Sequence, residues 1–255
     1  MKVLSALASL LSVTGVLAAP MADAPAGPVQ VFGRAHDAAF YNKINEMMNR
    51  NSTEPEIDAR DSTKTITYST DGVDAAGFYY SMYNANGASA KLTEYSDSGR
   101  WGLTWNSKVE FLAGKGFRSS TPRSISWGGY MNANGDYTLA IYGWTTNPVT
   151  EWYVVESHGT GTPGNGNPLG TVSDNGGVYD VYDLYYSNVP EIYGATSFHQ
   201  YWSVRRGNVA TGTVNVAAHF NRWRQLGLNP GTPIFQMVTL EGFVSSGSLD
   251  FTVQH

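Results

Sequence analysis

From residue 63 to residue 254 the chain alternates short runs rich in Val, Ile, Thr, Tyr, Phe and Trp with clusters of Gly, Asn, Asp and Ser. β-branched and aromatic side chains suit a pleated, half-buried surface, whereas Gly, Asn and Asp suit turns. Strands are predicted over residues 63–69, 78–84, 91–95, 100–105, 109–112, 124–131, 137–144, 151–158, 178–188, 197–206, 235–245 and 248–254. Loops are predicted between them, notably at 132–136 and 174–177. So many short strands in one stretch predict an all-β domain, a sandwich or jelly roll.

One segment departs from this rhythm. Val216, Phe220, Trp223 and Leu226 have helical spacing, and Gly227 supplies a stop, so one helix is predicted on the outside of a sheet. His219 lies within it and reads as a packed or surface histidine rather than a catalytic one.

The N-terminal part has a different character. Residues 1–19 combine Lys2, an apolar run and the small residues before Pro20, the pattern of a secretory signal peptide. Residues 20–60 read as a propeptide removed at or near Arg60. It opens Ala/Pro-rich, then shows a short helical pattern with Ala39, Phe40, Ile44, Met47 and Met48 on one side. The glycosylation sequon Asn51-Ser52-Thr53 falls in it. A retained disordered tail is the alternative. Residues 61–255 remain for one domain, long enough for a substantial core.

The chain has no cysteine. On a secretory route that leaves a large core and sheet hydrogen bonding, not disulfides, to hold the fold. The net charge is −5, with no basic patch, so nucleic acid is not an expected partner. The five histidines lack metal-ligand spacing, and no metal, cofactor or membrane partner is expected.

Two glutamates, Glu151 and Glu241, each sit within an apolar, aromatic strand-like run. A carboxylate in such a place is costly unless it has a purpose or a partner. Two of them in an aromatic-rich secreted chain point to a glycosidase, in which two carboxyl groups flank the bond to be cut. Strand parity sharpens the choice. Glu151, Tyr153 and Val155 share one face, and Trp152, Val154 and Glu156 the other, so Glu156 cannot join a cleft that Glu151 lines. Tyr142 and Trp144 share a face, as do Thr239, Glu241 and Phe243.

At these residues the chain resembles glycoside hydrolase family 11, the small endo-1,4-β-xylanases, over residues 77–253. The resemblance is carried in order by Gly77-Phe78-Tyr79-Tyr80-Ser81, Gly114-Lys115-Gly116-Phe117 (similar to a turn of the family), and Tyr142-Gly143-Trp144 with Asn147-Pro148 and Glu151. Pro190-Glu191-Ile192-Tyr193-Gly194 (similar to the tip of the "thumb" hairpin), Gln200-Tyr201-Trp202-Ser203-Val204-Arg205, Ala218-His219-Phe220-Asn221, and Glu241-Gly242 with Ser245-Ser246-Gly247-Ser248 complete it. The resemblance implies a jelly-roll sandwich of two curved antiparallel sheets with a single α-helix and a cleft across the concave sheet. It implies a monomer that cuts xylan by retaining double displacement, with Glu151 as nucleophile and Glu241 as acid/base. Ionised Glu151 would then raise the pKa of Glu241 and keep it protonated. Tyr83, Tyr142, Trp144, Tyr153, Tyr186, Pro190, Gln200, Phe235 and Phe243 would bind substrate.

The chain departs from the family pattern at several of these positions. Tyr83 stands where a sugar-stacking tryptophan is usual, Tyr186 where an arginine is usual, and Phe235 replaces a tyrosine. Val149, Trp152, Glu191, Phe243 and Val244 are further departures. Glu110 stands where Asn or Asp is usual beside the acid/base. A third carboxyl there would share a proton with Glu241 and shift activity to acidic pH, or else turn to solvent. Two rival functions accompany the xylanase reading. One is a weak or inactive glycan-binding or elicitor-type protein on the same scaffold. The other is a glucan-cutting enzyme.

Overall fold

The computed structural model describes residues 36–49, 63–161, 164 and 166–254. The expected signal peptide, the sequon and the expected cut near Arg60 lie outside these residues. In chain order the elements are α1 (Ala38–Asn49), β1 (Thr63–Ile66), β2 (Thr70–Val73), β3 (Tyr79–Asn84), β4 (Ala90–Tyr95), β5 (Arg100–Ser107), β6 (Phe111–Arg118) and β7 (Ser124–Thr146). There follow β8 (Thr150–His158), β9 (Gly170–Asp174), β10 (Gly177–Ile192), β11 (Ala195–Arg205), β12 (Gly212–Asn215), α2 (Val216–Gln225) and β13 (Thr232–Gln254).

Two strands, β7 and β13, run the length of both layers of a jelly roll. Their mutual register holds from Thr232↔Thr146 to Gln254↔Ser126, with slips at Pro233/Phe235 and Gly242/Ser245. The outer layer is β1-β4-β5, the C-terminal part of β13, the N-terminal part of β7, and β12. The inner layer is β2-β3-β6, the N-terminal part of β13, the C-terminal part of β7, then β8-β11-β10-β9. Among the described residues every pairing is antiparallel except β8 with β11, which is parallel.

Alternation along the inner-layer strands divides their side chains between two cores. Trp152, Val154, Leu139, Ile141, Val238 and Leu240 face the outer layer and α2. Tyr153, Val155, Tyr142, Trp144, Met237 and Phe235 face the concave side. Asn215 caps α2 by accepting from the Ala218 N–H at 3.2 Å, and Val216, Phe220 and Trp223 are buried against the first core. His219 is fully buried there, edge-on to Tyr179.

Three local expectations change. Residues 132–136 are not a loop, because Asn132, Ala133, Asn134 and Gly135 all pair with β13. Residues 235–245 and 248–254 are likewise one strand, β13. The Gly114–Phe117 run lies inside β6 and is not a turn. A Cβ on Gly116 would come within 2.2 Å of the Gln236 carbonyl oxygen, so the glycine serves close backbone approach to β13. The expected turn at 174–177 does form, with Asn175 and Gly176 both at positive φ between β9 and β10.

Lys115 projects from β6 toward the outer layer and is completely buried. Its Nζ lies 2.6 Å from Asp74 and 2.7 Å from Glu94, and also donates to the Tyr95 carbonyl at 2.7 Å. Ser96 donates to the other Glu94 oxygen and the Phe78 N–H to Asp74. This ion cluster ties the inner layer to β4 of the outer one.

The second helix, α1, was not expected as part of the globule. Its apolar stripe (Phe40, Tyr41, Ile44, Met47, Met48) is buried on the concave face, at roughly 1.5–3 kcal/mol per large apolar side chain before ordering costs. Asp37 caps it by accepting from the Phe40 N–H at 2.8 Å.

Candidate active site

Glu151 and Glu241 both project from the concave face, Glu151 from β8 and Glu241 from β13. The strand pairings place β7 between them, and both carboxyls are almost fully buried, at 0% and 3% exposure. Glu151 is the more heavily bonded. Its Oε1 accepts from the Tyr142 hydroxyl at 2.8 Å and the Tyr153 hydroxyl at 2.9 Å. Gln200 on β11 donates to Oε2 and is itself held by the Trp202 indole N–H at 3.2 Å. Trp202 stacks on Tyr153 at 3.8 Å with an interplanar angle of 5°, and the Trp144 indole N–H donates to Tyr142. These donors fix the carboxylate in one rotamer. Burial, then the neighbouring Glu151 charge, pushes the Tyr142 and Tyr153 phenols well above their ordinary pKa, so both stay neutral donors.

The other expected site residues distribute as follows. Tyr83 and Phe235 are buried in the same concave cluster, Phe235 tilted against Tyr79 and Tyr142. Tyr186 on β10 packs partly buried against it and stacks on Phe198. Pro190 is half-buried near the β10–β11 hairpin tip, where Tyr193 and Gly194 turn at positive φ. Phe243 falls in the irregular stretch where β13 slips against β7, and is half-buried. Glu156 is on the opposite face, as parity requires. It accepts from Tyr179 and, at 2.9 Å, from Asn175, with Arg205 3.6 Å away. Burial raises its pKa, against those hydrogen bonds.

The centre of the site is a residue that sequence reasoning did not select. The His36 ring lies among the three carboxyls. Its Nδ1 bonds Glu110, which precedes β6, and lies 3.7 Å from Glu241; its Nε2 is 3.0 Å from Glu151. Glu110 therefore points into the site rather than out to solvent. Phe40 stacks on the imidazole at 3.7 Å. Each ring nitrogen faces a carboxylate, and only the imidazolium donates from both. Burial alone would lower the His36 pKa, but the charges and hydrogen bonds of Glu151 and Glu110 outweigh it and hold the pKa well above its ordinary value. His36, Glu110 and Glu241 are close enough to hold a metal ion, with donor atoms within 4.8 Å of one another. A ring protonated on both nitrogens has no lone pair to give, so the cluster reads as an ion-pair network. The amphipathic pattern of α1 signalled a helix face in need of a partner, but not that His36 would enter the site ahead of it.

The groups facing the imidazolium are Glu110, Glu151 and Glu241, with the Tyr153 hydroxyl 3.3 Å from Nε2, while the Tyr41 hydroxyl accepts from the His36 backbone N–H. A histidine whose folded pKa is raised stabilises fully below its free value near 6.5, and that stability is lost as pH climbs through the folded value. The thermal midpoint of the full chain is therefore expected to fall from neutral to alkaline pH. His36→Gln should flatten this fall. An equal slope in both chains would exclude His36 as its source.

The profile of glycosyl hydrolases family 11 matches residues 75–252. Endo-1,4-beta-xylanase 2 of Rhizopus oryzae is 39% identical over 178 residues, covering 69% of this chain and 82% of the relative. The ethylene-inducing xylanase of Penicillium digitatum is 38% identical over 191 residues, covering 74% and 88%. A solved structure from a comparison of two major endo-1,4-beta-xylanases of Trichoderma reesei superposes with a TM-score of 0.59 at 31% identity, covering 75% of this chain and all of the other. With its two-layered sheet, its concave carboxyl pair and this match over most of its length, the chain belongs to glycosyl hydrolases family 11.

Proposed function

We propose that the chain is a secreted, monomeric endo-1,4-β-xylanase that cleaves xylan with retention. The observation carrying this reading is that Glu151 and Glu241 address the same imidazole ring from opposite nitrogens. One sugar ring in that space would meet both carboxyls. Glu151 attacks the anomeric carbon and forms a glycosyl ester, while Glu241 gives its proton to the departing oxygen. Glu241 then takes a proton from water, which cleaves the ester and restores both groups. Tyr142, Tyr153 and Gln200 hold Glu151 in line. Trp144, Tyr83, Tyr186, Pro190, Phe235 and Phe243 form the walls that receive the polysaccharide, and no cofactor enters. Residues 1–19 direct export, and residues 20–60 are removed near Arg60.

The test follows a plain xylo-oligosaccharide by proton NMR with the segment-free enzyme. Retention requires the β-anomer as first product; an initial α-anomer excludes the double displacement. Glu110 is proposed to couple to Glu241 once His36 has left. Glu110→Asn should then move the acidic limb of the pH–rate profile to higher pH, and an unmoved limb removes the coupling. A second reading, an elicitor-type protein sensed by a host, is favoured by the name of the Penicillium relative. It is separated by asking whether a plant-tissue response survives Glu151→Gln.

A further inference from the structure

The cleft of the intact chain is already occupied by the chain itself. We propose that the His36–Asn49 segment is a built-in inhibitor that plugs the catalytic cleft until proteolysis releases it. This rests on reading Glu151 and Glu241 as the hydrolytic pair.

The segment spans the cleft from wall to wall. At one side Asn45 accepts from the Tyr193 N–H at the β10–β11 hairpin tip, at 2.9 Å. At the other, Lys43 pairs with Asp71 on β2, and Arg118 on β6 donates to the Met47 carbonyl at 2.9 Å. N-terminal to these anchors Phe40 packs edge-on to Tyr83 and Tyr41 edge-on to Phe198. The Tyr83 hydroxyl donates to Asp37 at 2.7 Å, the same oxygen that caps α1. The aromatic surface that would receive sugar is therefore covered by aromatic side chains of the segment.

His36 supplies specificity. A glycosidase transition state carries positive charge on the sugar ring, spread beside the nucleophile. The imidazolium sets a flat cation in that position, bonded to Glu151 and backed by Phe40. The segment thus offers the carboxylates the charge they are built to stabilise, with no bond to cut. Sugar and segment cannot share the site, so inhibition is competitive.

The tether explains both strength and release. While residues 50–62 join α1 to β1, docking is intramolecular and the effective concentration of the segment is on the order of millimolar. An endopeptidase that hydrolyses one peptide bond there, with uptake of one water, turns docking into a bimolecular equilibrium. At low enzyme concentration the segment then dissociates.

The test compares the full chain, purified uncut, with the same preparation after limited proteolysis between α1 and β1 and removal of the segment. Two readouts are taken: turnover of xylan, and amidation of Glu151 and Glu241 by a water-soluble carbodiimide with an amine, mapped by mass spectrometry. The uncut chain is expected to label and turn over at least tenfold less. Uncut His36→Ala and uncut Ile44→Asp/Met47→Asp should approach the cut enzyme in labelling. A synthetic peptide of residues 34–50 should inhibit the cut enzyme competitively. Equal labelling of uncut and cut wild-type chains overturns the inhibitor. Labelling that rises on cutting, without turnover in either form, keeps the inhibitor and discards the xylanase reading instead.

Discussion

Glu151→Gln in the segment-free enzyme is expected to lose turnover of xylan by about 10⁴-fold or more while the fold survives. On the proposed roles, the neutral amide is no nucleophile toward an anomeric carbon, so covalent catalysis ends rather than weakens. The structural cost should be small because the amide has the same shape. Its oxygen can still accept from Gln200, and its NH2 can donate to the Tyr142 and Tyr153 hydroxyls, which rotate to accept. Glu241→Gln should be milder, in the range of about 10²–10⁴, since on the same proposed roles general acid help is lost but the nucleophile remains. Steady-state rates on xylan with a parallel thermal melt check both. Full activity in Glu151→Gln would move the nucleophile elsewhere.

Lys115→Met should destabilise the protein by about 3–5 kcal/mol, the expected penalty for leaving a buried ion pair without one partner. Here the penalty falls on two carboxylates, Asp74 and Glu94, both buried and both directed at the lost ammonium. Urea denaturation followed by tryptophan fluorescence measures the loss. The triple variant Lys115→Met/Asp74→Leu/Glu94→Leu should recover most of it, because all the buried charge then disappears together. A triple variant no better than the single one would assign the loss to packing rather than to unpaired charge.

Element type was legible wherever side-chain alternation and turn residues agreed. The turn at Asn175-Gly176 and the stop of α2 before Gly227 follow from local conformational preference alone. The residues around Asn134 and Gly135 also have turn composition, yet they form strand because β13 offers their backbone a complete ladder. That contact is over a hundred residues away in sequence, and no local window contains it. The same holds for Gly116, whose use is to admit Gln236. At the site, parity separated Glu151 from Glu156 because period two needs only the strand itself. His36 carried no such mark. Its partners are 74 and 115 residues distant, and a lone histidine before an amphipathic helix gives no sign of what the helix will cover.

Because β7 and β13 each belong to both layers, neither layer can melt and leave the other standing. Each of these strands would have to break in the middle, abandoning ladder bonds on both sides at once. Heat should therefore reveal one sharp, all-or-none transition, with calorimetric and van't Hoff enthalpies in agreement, despite two separate apolar cores. A shell closed by continuous strands, with no sulfur cross-links, is also indifferent to thiol reductants in its surroundings.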